Sequence, residues 1–384
     1  MATVLAQNQV VAWGAGKSIK PSDNNDFGQS IIPASLTNAV QVAGGWRNSL
    51  ALNSNGTLKG WGDDSFGQAD FFPTNASDYI SIACGYLHSV ALDSNGVVST
   101  AGDDLYGQSE VPDGLSNVVA VSCGFYHTLA LKSDGTVVSW GASENTFPVG
   151  ELPNFGQTLV PSNATNIVAV AAGGYHSLAL RSDGTVIAWG DNQSGETNVP
   201  PGLSNVVSIA AGGYHNLALK ADGSVVAWGL NTYGETNIPP DLSNVVAIAA
   251  GSWHSLALKA DGTVVAWGAG GGSNTNVDYR QNIVPAGLTS VIQIAAGVVH
   301  SLALVGSGPP VPRTAFVNPI IDTNGFSAGL FTQNGRVYRL EYKNALNDSA
   351  WTGLPLQAGT GGELEFRDPG AAFASQRFYR VEQW

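Results

Sequence analysis

Charge, cysteine and unbroken apolar stretches are all scarce in this chain. Lysine and arginine number 16 in 384 residues, against 29 aspartates and glutamates. From Arg313 onward seven basic residues face seven acidic ones, so the first 312 residues, with nine basic against 22 acidic, carry the whole formal charge of −13. That balance is a poor match for a phosphate backbone and argues against nucleic acid as the partner. Two cysteines do not make a disulfide framework. No apolar run reaches the roughly 18 residues of a membrane-spanning helix. A nucleophile motif, a metal-ligand spacing and a phosphate loop are missing as well, so no enzymatic activity, cofactor or metal is expected.

Glycine is plentiful, with 48 residues, and it punctuates a repeat. The stretch Val245–Gly268, VVAIAAGSWHSLALKADGTVVAWG, recurs about every 39 residues, and every histidine lies in a copy of it. Its three short runs are rich in β-branched and apolar residues, and Ala-Asp-Gly marks a tight turn between the second and third. Asn48, His88, His127, His176, His215, His254 and His300 hold one position in the copies. Wherever a third run follows, its closing glycine lies 14 residues on, at Gly62, Gly102, Gly141, Gly190, Gly229 and Gly268. Such constancy is what a fixed strand register requires, because a one-residue slip turns every side chain to the other face.

The last copy lacks its third strand, and Val10–Gly14 reads VVAWG, a third strand lacking its first two. Joining them closes a ring. The expected fold is all-β, a seven-bladed β-propeller over residues 1–305 with blade seven shared between 1–32 and 291–305. A fourth, outer strand is expected after each Trp-Gly, at segments such as DFGQSIIP, SFGQADFFP and TYGETNIPP. Gly306–Pro312 reads as a proline-stiffened linker over 306–313. Residues 314–384 alternate as strands and predict a small β-sandwich-like domain.

The combination G-x-x-H-S-L-A-L, then W-G, then G-Q resembles the repeats of the regulator of chromosome condensation family, over roughly Val10 to Val305. The short repeat is closer in style to secreted bacterial members, among them a propeller-type β-lactamase inhibitor protein, than to the eukaryotic exchange factor. The C-terminal module resembles those that end secreted multidomain bacterial proteins, for which attachment or a folded cap is the expected role. Val4-Leu5-Ala6 resembles the end of a signal peptide, which implies an extracellular or cell-surface location; an ordinary frayed N-terminus fits the same residues.

Histidines replicated with the fold are expected to be structural, hydrogen-bonded to backbone within or between blades. The tryptophans Trp13, Trp61, Trp140, Trp189, Trp228 and Trp267 are expected to pack blade on blade, with Ala101 in place of one. Gly44, Cys84, Cys123, Ala172, Ala211, Ala250 and Ala296 are small where inner strands crowd toward the axis. The variable positions are the candidates for binding. Trp46, Arg47, Tyr86, Phe125, Tyr126, Tyr175, Tyr214 and Trp253 precede the histidine position at the first turn, and predict a broken aromatic ring around one mouth. The loops after Gly14, Gly141 and Gly268 are long, and fall on that same face. Asp63, Asp64, Asp103, Asp104 and Asp191, with Tyr279 and Arg280, lie on its loops. Acidic and aromatic groups together suit a basic or mixed protein surface. The expectation is a secreted, non-enzymatic binding or scaffold protein whose partner is another protein. A glycan or a surface is the alternative partner. β-Lactamase inhibition, nucleotide exchange and a cleft enzyme are less favoured.

Overall fold

The structure, a computed structural model, describes residues 8–17, 25–70, 78–142, 149–270, 277–307, 316–333, 335–374 and 376–384. Among the described residues, seven three-stranded antiparallel sheets follow one another along the chain, one for each copy of the repeat. Blade six is typical: an inner strand Val245–Ala250, a middle strand His254–Lys259 and a third strand Val264–Gly268. The middle strand is buried on both faces, as its five successive buried residues show, which is why Leu256, Ala257 and Leu258 follow one another without a polar residue between them. The turn that follows is built by Asp261, whose Oδ1 accepts from the Thr263 N–H at 3.0 Å and the Thr263 hydroxyl at 2.6 Å. Gly262 supplies the left-handed φ of +80° that this turn needs.

The ring closes as the sequence predicts. Gln9–Gly14 pairs antiparallel with His300–Val305, from Gln9 opposite Val305 to Gly14 opposite His300. The middle-strand leucines, such as Leu50, Leu129, Leu178 and Leu256, are fully buried, and the six tryptophans of the third strands are 2–7% exposed between blades. Ala101 stands in the seventh such place and is buried too.

Among the described residues the expected fourth strand does not form. The described parts of the segments after Trp-Gly run as turns and bends. Their polar groups are taken up by side chains: the Phe66 N–H donates to Gln68 Oε1, and the Gln29 carbonyl accepts from Trp61 Nε1 at 2.8 Å. A backbone satisfied in this way has no ladder left to offer.

The C-terminal module has two sheets, one of Val317–Asp322, Gly325–Phe331 and Glu363–Asp368, the other centred on Val337–Lys343 paired with Phe378–Gln383. Phe326, Leu330, Tyr338, Leu340 and Phe366 fill the space between them. The short 3-10 turn Pro369–Phe373 was not foreseen; Asp368 caps it by accepting from the Gly370 N–H. The module rests on the Asp-Gly side of the propeller, where the Leu356 N–H donates to the Ser182 carbonyl at 2.8 Å, and Val337 and Leu356 join a core cluster with Val168, Val206 and Val207. Residues 308–313 of the expected linker, and Val4-Leu5-Ala6, lie outside the described residues. No helix among the described residues is long and apolar enough to cross a membrane.

Candidate functional site

The first turn of each blade is anchored by the histidine that ends it. His176 Nε2 lies 2.7 Å from Asn216 Oδ1 of the next blade, an oxygen that only accepts, so Nε2 carries the proton. Elsewhere the partner is a hydroxyl that donates its own proton onward: Ser255 Oγ receives His215 Nε2 at 2.9 Å and donates to the Glu235 carbonyl at 2.9 Å. The same relay runs from His88 to Thr128, His127 to Ser177, His254 to Ser301 and His300 to Ser49. Asn48 imitates it with Nδ2 on Ser89 Oγ at 3.2 Å. The histidines are therefore ties between blades, and their partners are side chains of the next middle strand rather than the expected backbone.

Each imidazole leans on the glycine three residues before it. A Cβ at Gly85 would lie 2.3 Å from His88 Cε1 and 2.5 Å from the Gly124 carbonyl oxygen. This contact is the reason for glycine in G-x-x-H, without any call on unusual φ. Desolvation lowers the histidines to about 3 in His127, His215 and His254, and to about 4 in His88, His176 and His300. They are neutral and buried, each tied through Nε2 with its Nδ1 left without a hydrogen-bond partner. Among the described residues no group of three or more His, Cys, Asp or Glu is placed to hold a metal ion. Cys84 and Cys123 are unpaired and line the narrow axial neck together with the small residues of the other blades. Burial pushes the Cys84 thiol up to about 12.

With the turns so fixed, their aromatic residues are brought to one mouth of the ring. Trp46 stacks on Tyr86, ring centroids 4.0 Å apart at 9°. Tyr86 meets Phe125 and Tyr126, these meet Tyr175, and Tyr175 meets Tyr214, which meets Trp253 at 5.0 Å. The arc spans six blades and breaks at Val298 and Val299, as expected from the sequence. It surrounds a bowl of about 250 Å³. Every ring in it is half-buried, and desolvation holds the Tyr86, Tyr126, Tyr175 and Tyr214 phenols above their ordinary range. They present neutral hydroxyls on apolar bodies.

The sequence reading missed an outer row. Tyr106 packs edge-on to Tyr126, Phe155 to Tyr175 and Tyr233 to Trp253. Phe27 carries the Arg47 guanidinium at 4.5 Å, and Trp46 carries it at 3.4 Å on another side. All four stand two residues before the repeat's Gln or Glu, a signal present in the segments read as strands. Tyr279 holds the same position, and its hydroxyl accepts from Asn25 Nδ2 at 3.0 Å while Asn25 Oδ1 accepts from Trp46 Nε1 at 2.9 Å. Arg280 beside it is exposed.

The aspartates of this face are engaged in shaping its loops. Asp63 is buried, accepts from the Ser65 N–H and hydroxyl, and lies 4.0 Å from Arg47. Asp64 accepts from the Ala69 N–H at 2.8 Å, Asp104 from the Ser109 N–H at 2.8 Å and Asp191 from the Gln193 N–H at 3.1 Å. Asp103 accepts from Gln108 Nε2 at 2.9 Å. The rim also leaves large apolar side chains open: Phe66, Leu105, Val149 and Leu152 are 51–73% exposed on loops that leave the third strands of blades one to three.

The family model described as the Regulator of chromosome condensation (RCC1) repeat matches residues 39–68, 79–108, 118–146, 167–196, 206–235 and 245–275. No curated protein matches the chain by sequence. Among solved structures, Prp20p from Saccharomyces cerevisiae, described with its binding to Gsp1p and histones, superposes with a TM-score of 0.61 at 20% identity. That likeness covers 79% of this chain and 93% of the yeast protein. Yeast RCC1 (Prp20) bound to Kap60 gives 0.59 at 21% identity, covering 79% and 90%. Human WBSCR16 gives 0.58 at 21%, covering 78% and 99%. At these identities the likeness is one of fold.

Proposed function

With the chain placed as an RCC1-like β-propeller, we propose that it is a secreted, non-enzymatic binding protein whose aromatic mouth docks another protein. The observation that carries this reading is the unbroken arc from Trp46 to Trp253 around an open bowl. Half-exposed aromatic side chains with few rotatable bonds give a partner large contact area at low entropic cost, which is why such groups dominate binding hot spots. The exposed Phe66, Leu105, Val149 and Leu152 widen the apolar surface beyond what a solvated rim needs. The solved relatives described with Gsp1p, histones and Kap60 are protein binders, which supports the same class of partner here. An extracellular or cell-surface location is part of the proposal and rests on Val4-Leu5-Ala6.

The test replaces Tyr175, Tyr214 and Trp253 together by alanine. Wild-type and variant propellers serve as baits in the native culture medium and on a glycan array. A protein retained by the wild type and lost by a variant with a normal melting curve supports the reading. Equal retention by both defeats it, and glycan binding by the wild type alone transfers the site to the carbohydrate alternative.

A further inference from the structure

The opposite mouth of the propeller is covered by the C-terminal module, and the cover does not fit flush. A partly open chamber of about 660 Å³ remains between the two, within the range of small-molecule sites. The propeller contributes the beginnings of its inner strands. Val40, Ile80, Val246 and Ile292, each the second residue of its strand, present apolar side chains that the blades leave partly uncovered. Beside them stand the polar third residues Gln41, Ser81, Ser208 and Gln293. Gln293 Oε1 accepts from the Val42 N–H at 3.0 Å, and its Nε2 donates to none of the described residues.

The module contributes Arg336. Its guanidinium makes no hydrogen bond and no ion pair with the described residues, although every other described arginine of the module is matched to a carboxylate: Arg339 and Arg380 to Glu341, Arg367 to Glu365 and Arg377 to Asp368. Burial holds its pKa below the ordinary value, and no aspartate or glutamate side chain lines the chamber. An unmatched cation facing an uncharged, half-apolar cavity is a group short of its counter-ion.

We propose that this chamber binds a small organic anion, its carboxylate held by Arg336 with the Gln293 amide in support and its apolar body laid along Val40, Ile80, Val246 and Ile292. A planar guanidinium meets a carboxylate through two parallel hydrogen bonds, and removal from bulk water strengthens them. The ligand would touch both units, so it would also clamp the module to the propeller.

The probe is 8-anilinonaphthalene-1-sulfonate, an apolar aromatic anion, titrated by fluorescence into the full chain and displaced with octanoate. One saturable site per chain is expected, emptied by octanoate but not by octylamine. Arg336→Leu should weaken both anions about tenfold or more, the loss of a charge-assisted pair, whereas Arg336→Lys keeps measurable binding. Ser208→Phe fills the chamber from the propeller side with Arg336 intact and should abolish binding. Absence of a saturable site, equal displacement by octylamine, or unchanged affinity in Arg336→Leu overturns the proposal. Should Arg336→Leu fail to fold, Ser208→Phe decides: loss of binding supports the chamber, and unchanged binding removes it.

Discussion

His300 Nε2 donates to Ser49 Oγ across 2.9 Å, joining residues 251 apart in the chain. This bond ties the last blade to the first, and a comparable side-chain tie joins each other pair of neighbours, with Asn48 in place of the histidine at one junction and Asn216 in place of the hydroxyl at another. The ring is therefore sealed twice, by the strand Gln9–Gly14 and by a side-chain tie.

Breaking one tie should be felt by the whole ring. His300→Ala leaves a cavity and strips Ser49 of its donor, and should cost about 2–4 kcal/mol in urea unfolding. Gly85→Ala is expected to cost as much or more, since its methyl would collide with His88 and with the Gly124 carbonyl. A midpoint within error of wild type for either variant would contradict the account of the G-x-x-H turn.

Acid should unfold the propeller steeply. The six histidines fall from an ordinary value near 6.5 to about 3 or 4 on folding. Below 6.5 the unfolded chain takes up protons that the folded chain refuses, so stability is complete above that pH and drains as it falls. Each site contributes about 1.4 kcal/mol per pH unit, and six acting together approach the whole of a typical ~5–15 kcal/mol. Unfolding midpoints measured from pH 7.5 to 4.5 should drop sharply below about 6, in proportion to the number of histidines that remain in variants.

Two glutamates are suboptimal. In four of the five blades with glutamine the amide nitrogen donates to a loop oxygen, as Gln157 Nε2 does to the Pro153 carbonyl at 2.7 Å; Gln68 is the exception. Glu196 Oε1 and Glu235 Oε1 are buried without a partner, and desolvation raises both carboxyls. A raised folded pKa means that stability is lost as pH rises through it. Glu196→Gln and Glu235→Gln should each stabilise by about 1 kcal/mol, more at pH 8 than at pH 5. A gain that is independent of pH would point to packing instead.

Removing residues through Gly14 should open the ring. The strand His300–Val305 would then expose an unpaired edge, an invitation to pair with a second chain. Size-exclusion chromatography is expected to show dimers or larger species together with a lower melting temperature. A monomeric truncation of unchanged stability would argue that the N-terminal strand is ornamental.

Much of this could be read from spacing alone. The interval of 14 residues between the histidine position and its glycine implied a rigid hairpin, and the two fragments at either end implied closure. The common exit face of the turns was also legible, because strand direction alternates; the Asp191 N–H, just after Trp-Gly, donates to the Tyr175 carbonyl. The small residues of the axial neck followed from crowding. Less legible were contacts that a side chain makes outside its own blade. The tie from His254 to Ser301 leaves no local mark, since its residues are equally compatible with a bond to backbone.

The linear pattern by itself determined the number of blades, the register within them and the face that carries the aromatic turns, because all three follow from a hairpin of constant length that recurs along the chain. Tertiary structure decided the rest. It turned the expected outer strands into turns by giving their carbonyls to tryptophan and serine side chains. It drew Tyr106, Phe155 and Tyr233 into a second aromatic row, and committed the rim aspartates to their own loops. It also seated the C-terminal module on the far mouth and left Arg336 unpaired above it. Those outcomes depend on surfaces meeting across the ring, and distance in space between blades is the one quantity that periodicity along a chain does not encode.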